Sequence, residues 1–213
     1  MIPYEAVHEV MRTRRSVRRF RPDMPPREVI DALLASAVTA PSASNKQPWR
    51  FLVVQNRELI ERMAAAVREA VDRIALSIDH AFEDSFRAYG DYFTRFEHAP
   101  LVITPLYRPL TVLSNLVGSR IARADLQRIQ EMEHNSGLAG TSMAVQNLLL
   151  AAHAAGLGAS GMTGPLVAAG ALREILRVPP SWQVLALVPI GYADEQPAPT
   201  PRKSVERVSQ WIE

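Results

Sequence analysis

Runs of apolar residues at helical spacing, separated by short apolar strands, set the predicted order of elements. Residues 4–13 read as a short helix ending in arginines. Pro25-Pro26 opens a second helix, from about Arg27 to Val38, with Val29, Ile30, Leu33, Leu34 and Ala37 at helical spacing. Arg50–Val54 reads as a strand, and a long helical region follows from about Glu58 to Ser77. A helical stretch rich in aromatics then reaches about Phe96, and Pro100 restarts the chain as a strand over Leu101–Thr104. Residues 105–136 show no clean period. Leu138–Ala155 is apolar on nearly every face, interrupted at Gln146, Asn147 and His153, which predicts a helix buried all round. A subunit interface is one surface that would bury it. A helix over Leu166–Leu176, stopped by Pro179-Pro180, precedes a strand from Trp182 to Pro189. The extended segment Pro197–Pro201 leads to a short terminal helix carrying Val205, Val208 and Ile212. With no internal repeat and no boundary, residues 1–213 are expected to form a single domain.

Composition narrows the class. A chain of 213 residues that is 47% hydrophobic and 22% charged can bury a sizeable core. Its 24 basic residues include only two lysines, Lys46 and Lys203, and the net charge is +2. Nucleic-acid binding calls for a block of basic residues with interleaved aromatics, which only residues 12–21 approach, so no nucleic-acid partner is expected. There is no cysteine, which excludes disulfides, thiol nucleophiles and cysteine-ligated clusters. The first residues lack the pattern of a secretory signal, and the longest apolar stretch, Leu148–Ala152, is too short to span a bilayer. The cytoplasm is the expected compartment, with no membrane partner.

Candidate chemistry gathers in three segments. Arg14-Arg15-Ser16-Val17-Arg18 places three guanidinium groups and a hydroxyl within five residues, a donor set suited to a phosphate. The bland alternative is a basic helix end satisfying its last carbonyls. Pro41-Ser42-Ala43-Ser44-Asn45-Lys46-Gln47-Pro48-Trp49 is a polar, proline-bounded loop of the kind that holds ligands, or a plain turn whose tryptophan roots the next strand. Gly156–Gly164 holds four of the ten glycines. It follows a helix, so it is no dinucleotide fingerprint. It is either a helix stop or a place of close backbone approach, where the N–H groups of Met162, Thr163 and Gly164 would face a flat ring. The five histidines are scattered and support no metal site, and His153 reads as a core histidine. Glu131 and Glu133 read as a solvated helix face. With no nucleophile or acid–base pair in view, any chemistry is expected to be a cofactor's.

In combination and in this order, these segments resemble the nitroreductase family of flavoproteins. Arg14–Arg18 resembles its opening motif, and Pro41–Asn45 with Gln47-Pro48-Trp49 its second. Gln146-Asn147 running into Gly156-Leu157-Gly158 resembles its buried helix and turn, and Gly191-Tyr192 with Arg202 and Glu206 its C-terminal end. The likeness runs from about residue 5 to 212 and is weakest over 57–136. It implies an α+β fold, a mixed central sheet with helices on both faces, and an intertwined homodimer with FMN at the interface. Arg14 and Arg202 would hold the phosphate, with Arg15 and Ser16 nearby, and Arg18 would reach the pyrimidine edge of the ring. Pro41, Ser42, Ala43, Ser44, Asn45 and Gln47 would line the ring and ribityl chain or come from the other subunit. Backbone around Met162, Thr163 and Gly164 would face N5.

The implied activity is hydride transfer from NAD(P)H through flavin N5 to a small acceptor, a nitroaromatic or a quinone, by a ping-pong route. No side chain need act as acid or base, and a guanidinium near N1 would stabilise the reduced ring. Other flavin chemistry, such as dehalogenation, enoate reduction or flavin fragmentation, belongs to the same expectation, and a carrier or redox sensor without turnover is the competing class. Two positions depart from the pattern: Gly140-Thr141 stands where many members carry an acidic residue, and Thr163 where some carry a glutamate.

Overall fold

A computed structural model describes residues 3–213. Helix α1 (Tyr4–Thr13) and helix α2 (Arg27–Ala37) precede strand β1 (Trp49–Val54). Helix α3 (Arg57–Ala75), capped by the Asn56 side chain accepting from the Leu59 N–H, and the short α4 (Glu83–Gly90) follow. A 3-10 segment, Asp91–His98, then leads into strand β2 (Leu101–Tyr107). The long helix α5 (Arg123–Ala154) precedes strand β3 (Gly158–Ala159), helix α6 (Ala169–Ile175), and strands β4 (Gln183–Val184) and β5 (Val188–Gly191).

Strand β2 is central. It pairs with β1 on one side and with β5 and then β4 on the other, and β3 closes the sheet beyond β5. All of these ladders are antiparallel. The mixed character expected from the resemblance rests on one parallel bridge, Ser16 with Ala159. Because β side chains alternate, Leu101 and Ile103 face one core with α2 and α5, while Val102 and Leu106 face another with α3 and α6. Both faces are therefore covered by helices, the layering of an α+β domain.

Three expectations shift. The strand expected over 182–189 is broken, because the Leu185 N–H donates to the Pro105 carbonyl and Leu187 turns to exchange hydrogen bonds with Met162. Helix α5 begins far ahead of Leu138, its first half carrying polar positions that hide the period. The terminal helix shrinks to one 3-10 turn, Val205–Arg207, and Val208, Trp211 and Ile212 lie exposed, unburied by any of the described residues.

Candidate functional site

Helix α1 ends at Thr13 and delivers the arginine segment onto the sheet edge. The Val17 N–H donates to the Ala159 carbonyl at 3.1 Å, and Val17 packs against Gly158, where a Cβ would lie 2.6 Å from Val17 Cγ1. Glycine at 158 is thus what lets the arginine segment sit so close to β3. Glu195 fixes the other side: its Oε1 accepts from the Arg18 N–H at 2.6 Å and the Arg19 N–H at 3.0 Å. No sequence signal marked Glu195, since its partners lie more than 170 positions away.

The guanidinium groups here are unpaired. Among the described residues none of Arg14, Arg15, Arg18 and Arg202 makes a salt bridge, whereas Arg12, Arg19, Arg57 and Arg68 all do. Arg15 donates only to the carbonyls of Arg12 and Arg14, Arg18 weakly to that of Ser16, and Arg202 to the Thr200 hydroxyl. Burial lowers the Arg14 pKa, and the neighbouring charges of Arg202 and Arg15 lower it further. The charge of Arg202, from the other end of the chain, thus acts on Arg14, and neither group is paired in a salt bridge among the described residues.

His153, at the end of α5, sits beside them. The Thr13 hydroxyl donates to the Glu9 carbonyl at 2.7 Å, so its contact with His153 Nε2 at 2.8 Å is one in which the ring donates. Burial lowers the His153 pKa, and Arg14 and Arg15 lower it further, so the ring is neutral near pH 7. It reads as a satisfied structural histidine. A cleft of 430 Å³ lies alongside, bounded by Arg15, Gly156, Glu195 and Pro197.

The Pro41–Gln47 loop forms a 3-10 turn at Ala43–Asn45, with Ser44, Asn45 and Gln47 all at positive φ (50°, 50° and 45°). Asparagine tolerates this region, but serine and glutamine do so at a cost, the kind of strain that collects at ligand sites. The Ser42 hydroxyl steadies the turn by accepting from the Gln47 N–H at 2.9 Å. Gly140 of α5 passes directly under the loop, where a Cβ would lie 3.4 Å from both Ser42 and Pro48. The acidic residue that the resemblance led one to expect there is replaced by a close approach.

Within one chain the structure does not bring this loop to the arginines. The loop rests on α5 at Gly140 and the arginine segment touches α5 at His153, about 20 Å apart at the helical rise.

In the glycine-rich segment, Met162 departs from expectation: its N–H donates to the Leu187 carbonyl at 2.9 Å and is not free to meet a ring. The N–H groups of Thr163 and Gly164 find no acceptor among the described residues and remain available. Gly164 is pressed against the Phe93 ring, which occupies the place a Cβ would take. Glu133 corrects a second expectation. It is 3% exposed, and its Oε1 accepts from the N–H groups of Val112 and Leu113, both at 2.6 Å, and of Ser114 at 3.3 Å. Burial pushes its carboxyl pKa up, but hydrogen bonds from the Ser114 side chain and these backbone groups outweigh burial and hold it below the ordinary value.

A model of the nitroreductase family matches residues 11–192. The chain belongs to the nitroreductase family. It is 32% identical over 197 residues to the 5,6-dimethylbenzimidazole synthase of Rhodobacter capsulatus, covering 91% of this chain and 87% of that one. It is 31% identical over 207 residues to the NADH dehydrogenase of Thermus thermophilus, covering 93% and 92%. The crystal structure of a nitroreductase with bound FMN from Desulfitobacterium hafniense superposes with a TM-score of 0.74 at 21% identity, covering 100% of both chains. This nitroreductase-family chain has no helix among the described residues long and apolar enough to cross a membrane.

Proposed function

We propose that the protein is an FMN-dependent oxidoreductase that takes hydride from NAD(P)H and passes it to a small acceptor such as a nitroaromatic or quinone. The observation that carries this reading is a segment, Arg14–Arg18, held against β3 through Val17, whose Arg14, Arg15 and Arg18 form no salt bridge among the described residues, with the charge of Arg202 acting on Arg14. A dianionic phosphate would relieve their repulsion. Free N–H groups at Thr163 and Gly164 add donors for a flat heterocycle, and the FMN-bound family structure supports FMN as the group that combines phosphate and ring. When bound, the flavin supplies reversible two-electron chemistry. The chain's own residues bind and orient it: Arg14 and Arg202 at the phosphate, Arg18 at the ring edge, Thr163 and Gly164 at its face. The NADH dehydrogenase relative supports a nicotinamide donor.

A homodimer completes the site in this reading. Pro41–Gln47 cannot reach Arg14 of its own chain, and a second copy would supply the loop. An apolar cleft of 640 Å³ between α1 and α5, lined by Val7, Val10, Leu150, Ala151 and Ala154, and the exposed Trp211 and Ile212, offer the surfaces such a partner would cover.

The test is an absorbance spectrum after FMN addition and desalting, followed by anaerobic titration with NADPH and NADH. A retained band that bleaches supports the oxidoreductase, and one that neither donor bleaches supports a carrier or sensor. Arg14→Ala should chiefly weaken retention, whereas Arg18→Ala should slow reduction more than it weakens retention. Equal effects from both would count against the division of roles. A second reading, synthesis of 5,6-dimethylbenzimidazole, is favoured by the 32% identity to the enzyme of that name. Detection of that base after aerobic incubation with FMN and NADPH would select it.

A further inference from the structure

Lys46, on the strained loop, and Arg108 face a cleft of 530 Å³ whose other lining residues the flavin reading leaves unused. Its polar lining is all donors or hydroxyls: the Lys46 ammonium, the Arg108 guanidinium, the Thr111 and Ser181 hydroxyls, and Gln183. The Gln183 carboxamide oxygen accepts from Arg173 at 3.1 Å, and its amide N–H groups make no hydrogen bond among the described residues. No carboxylate lines the cleft, and neither cation makes a salt bridge among the described residues. A larger cleft of 760 Å³ shows the opposite arrangement, since its Arg19, Arg57 and Arg68 pair with Asp194, Glu61 and Glu97.

The site is also held in place before any ligand arrives. The Arg108 N–H donates to the Pro48 carbonyl at 3.1 Å, and the Arg108 carbonyl lies against Gly137 of α5, where a Cβ would collide with it. Its guanidinium packs on the Trp182 indole, 5.3 Å from the ring centroid. Arg50 joins it there at 4.8 Å, and β pairing of Arg50 with Leu106 puts Arg50 and Arg108 on the same face as diagonal neighbours. Two cations share one indole with no anion between them. The wall formed by Leu110–Val112 is tied to α5 by Glu133, whose backbone carbonyl accepts from Leu110 and whose carboxylate accepts from Val112.

We propose that this cleft is a subsite for an oxyanion, a phosphate or carboxylate carried by one of the two molecules that meet the flavin: the 2′-phosphate of NADPH or an acidic group on the acceptor. The identity of those two molecules rests on the proposed flavin function; the binding of an oxyanion does not.

The experiment is calorimetric titration of the FMN-loaded protein with two matched pairs of probes. Adenosine 2′,5′-bisphosphate is set against adenosine 5′-monophosphate, and 4-nitrobenzoate against 4-nitrobenzamide. In at least one pair the more anionic probe should bind about tenfold tighter, as expected for a charge-assisted contact. Arg108→Ala should erase most of that preference while FMN retention stays unchanged, and Lys46→Ala, on the loop itself, should separately erase it. A preference for the bisphosphate assigns the subsite to the donor, one for nitrobenzoate assigns it to the acceptor, and preference in both pairs leaves a general oxyanion site. No preference in either pair, or one that survives both substitutions, overturns the proposal. Should the wild-type protein retain no flavin, the functional reading fails by itself, and the same titrations on flavin-free protein still decide the subsite.

Discussion

In the N-terminal half of α5, Glu133 gathers the N–H groups of Val112, Leu113 and Ser114 onto one carboxylate oxygen; at the C-terminal end, Arg14 and Arg15 lie near His153, and no salt bridge holds either of them or Arg202 among the described residues. Both places bring charge close to one helix. At Glu133 the charge meets its complement inside the protein, and the result is structural. At Arg14 the complement is missing, and the result is a place prepared for an anion from outside. Partnership, more than burial, separates a functional charge from a structural one.

The contrast is broken most directly by removing the Glu133 carboxylate. Glu133→Ala leaves three backbone donors without an acceptor and should cost about 3 kcal/mol in a denaturant titration. Faster proteolysis within residues 110–122 should accompany that loss. Arg14→Ala is the mirror experiment. It removes a cation with no partner to orphan, so stability should stay within about 0.5 kcal/mol while FMN retention falls about tenfold or more. If Arg14→Ala destabilised the fold as much as Glu133→Ala, the proposed division between the two places would collapse.

The pH response sharpens it. The Glu133 pKa is lowered in the folded state, so the unfolded chain binds the proton more readily. Its contribution is present above 4.5 and is lost as pH falls toward the lowered value. Glu133→Gln should flatten that acid limb in urea titrations run across pH 3–6. A smaller effect is expected at His153, whose pKa is also lowered. The unfolded chain again takes the proton first, so stability should decline as pH falls below 6.5. Bound phosphate would offset the charges of Arg14 and Arg15 and weaken this dependence, which an NMR titration of the ring with and without inorganic phosphate would detect.

Much of this was legible in the sequence, for physical reasons that differ by element. Helices α2 and α3 carry clean periods because each buries one face against a core in the same chain, and strand β2 is a nearly continuous apolar run because both its faces are buried. The arginine segment and the Pro41–Gln47 loop were legible through local chemistry, donor density in one case and turn-forming residues in the other. Glu133 was not: read as a solvated face, it is enclosed by backbone groups some 20 positions upstream, and a backbone N–H leaves no trace in residue identity. Glu195 escaped for the same reason. The sequence leaves the Met162 N–H open to a ligand because it cannot show that Leu187 turns back to take it. The terminal helix was expected from the spacing of Val205, Val208 and Ile212, but that spacing finds no surface among the described residues to pack on.

The tie between Glu133 and residues 112 and 113 is made to main chain, which leaves the side chains there free to change. Any residue except proline offers the same N–H, so Val112 and Leu113 are interchangeable as far as the fastening is concerned, whereas Ser114 adds a side-chain hydrogen bond. Side chains along this wall are free to be rewritten one by one while its path stays fixed. A library confined to positions 111 and 112, which line the cleft, would explore new selectivities on an unaltered frame.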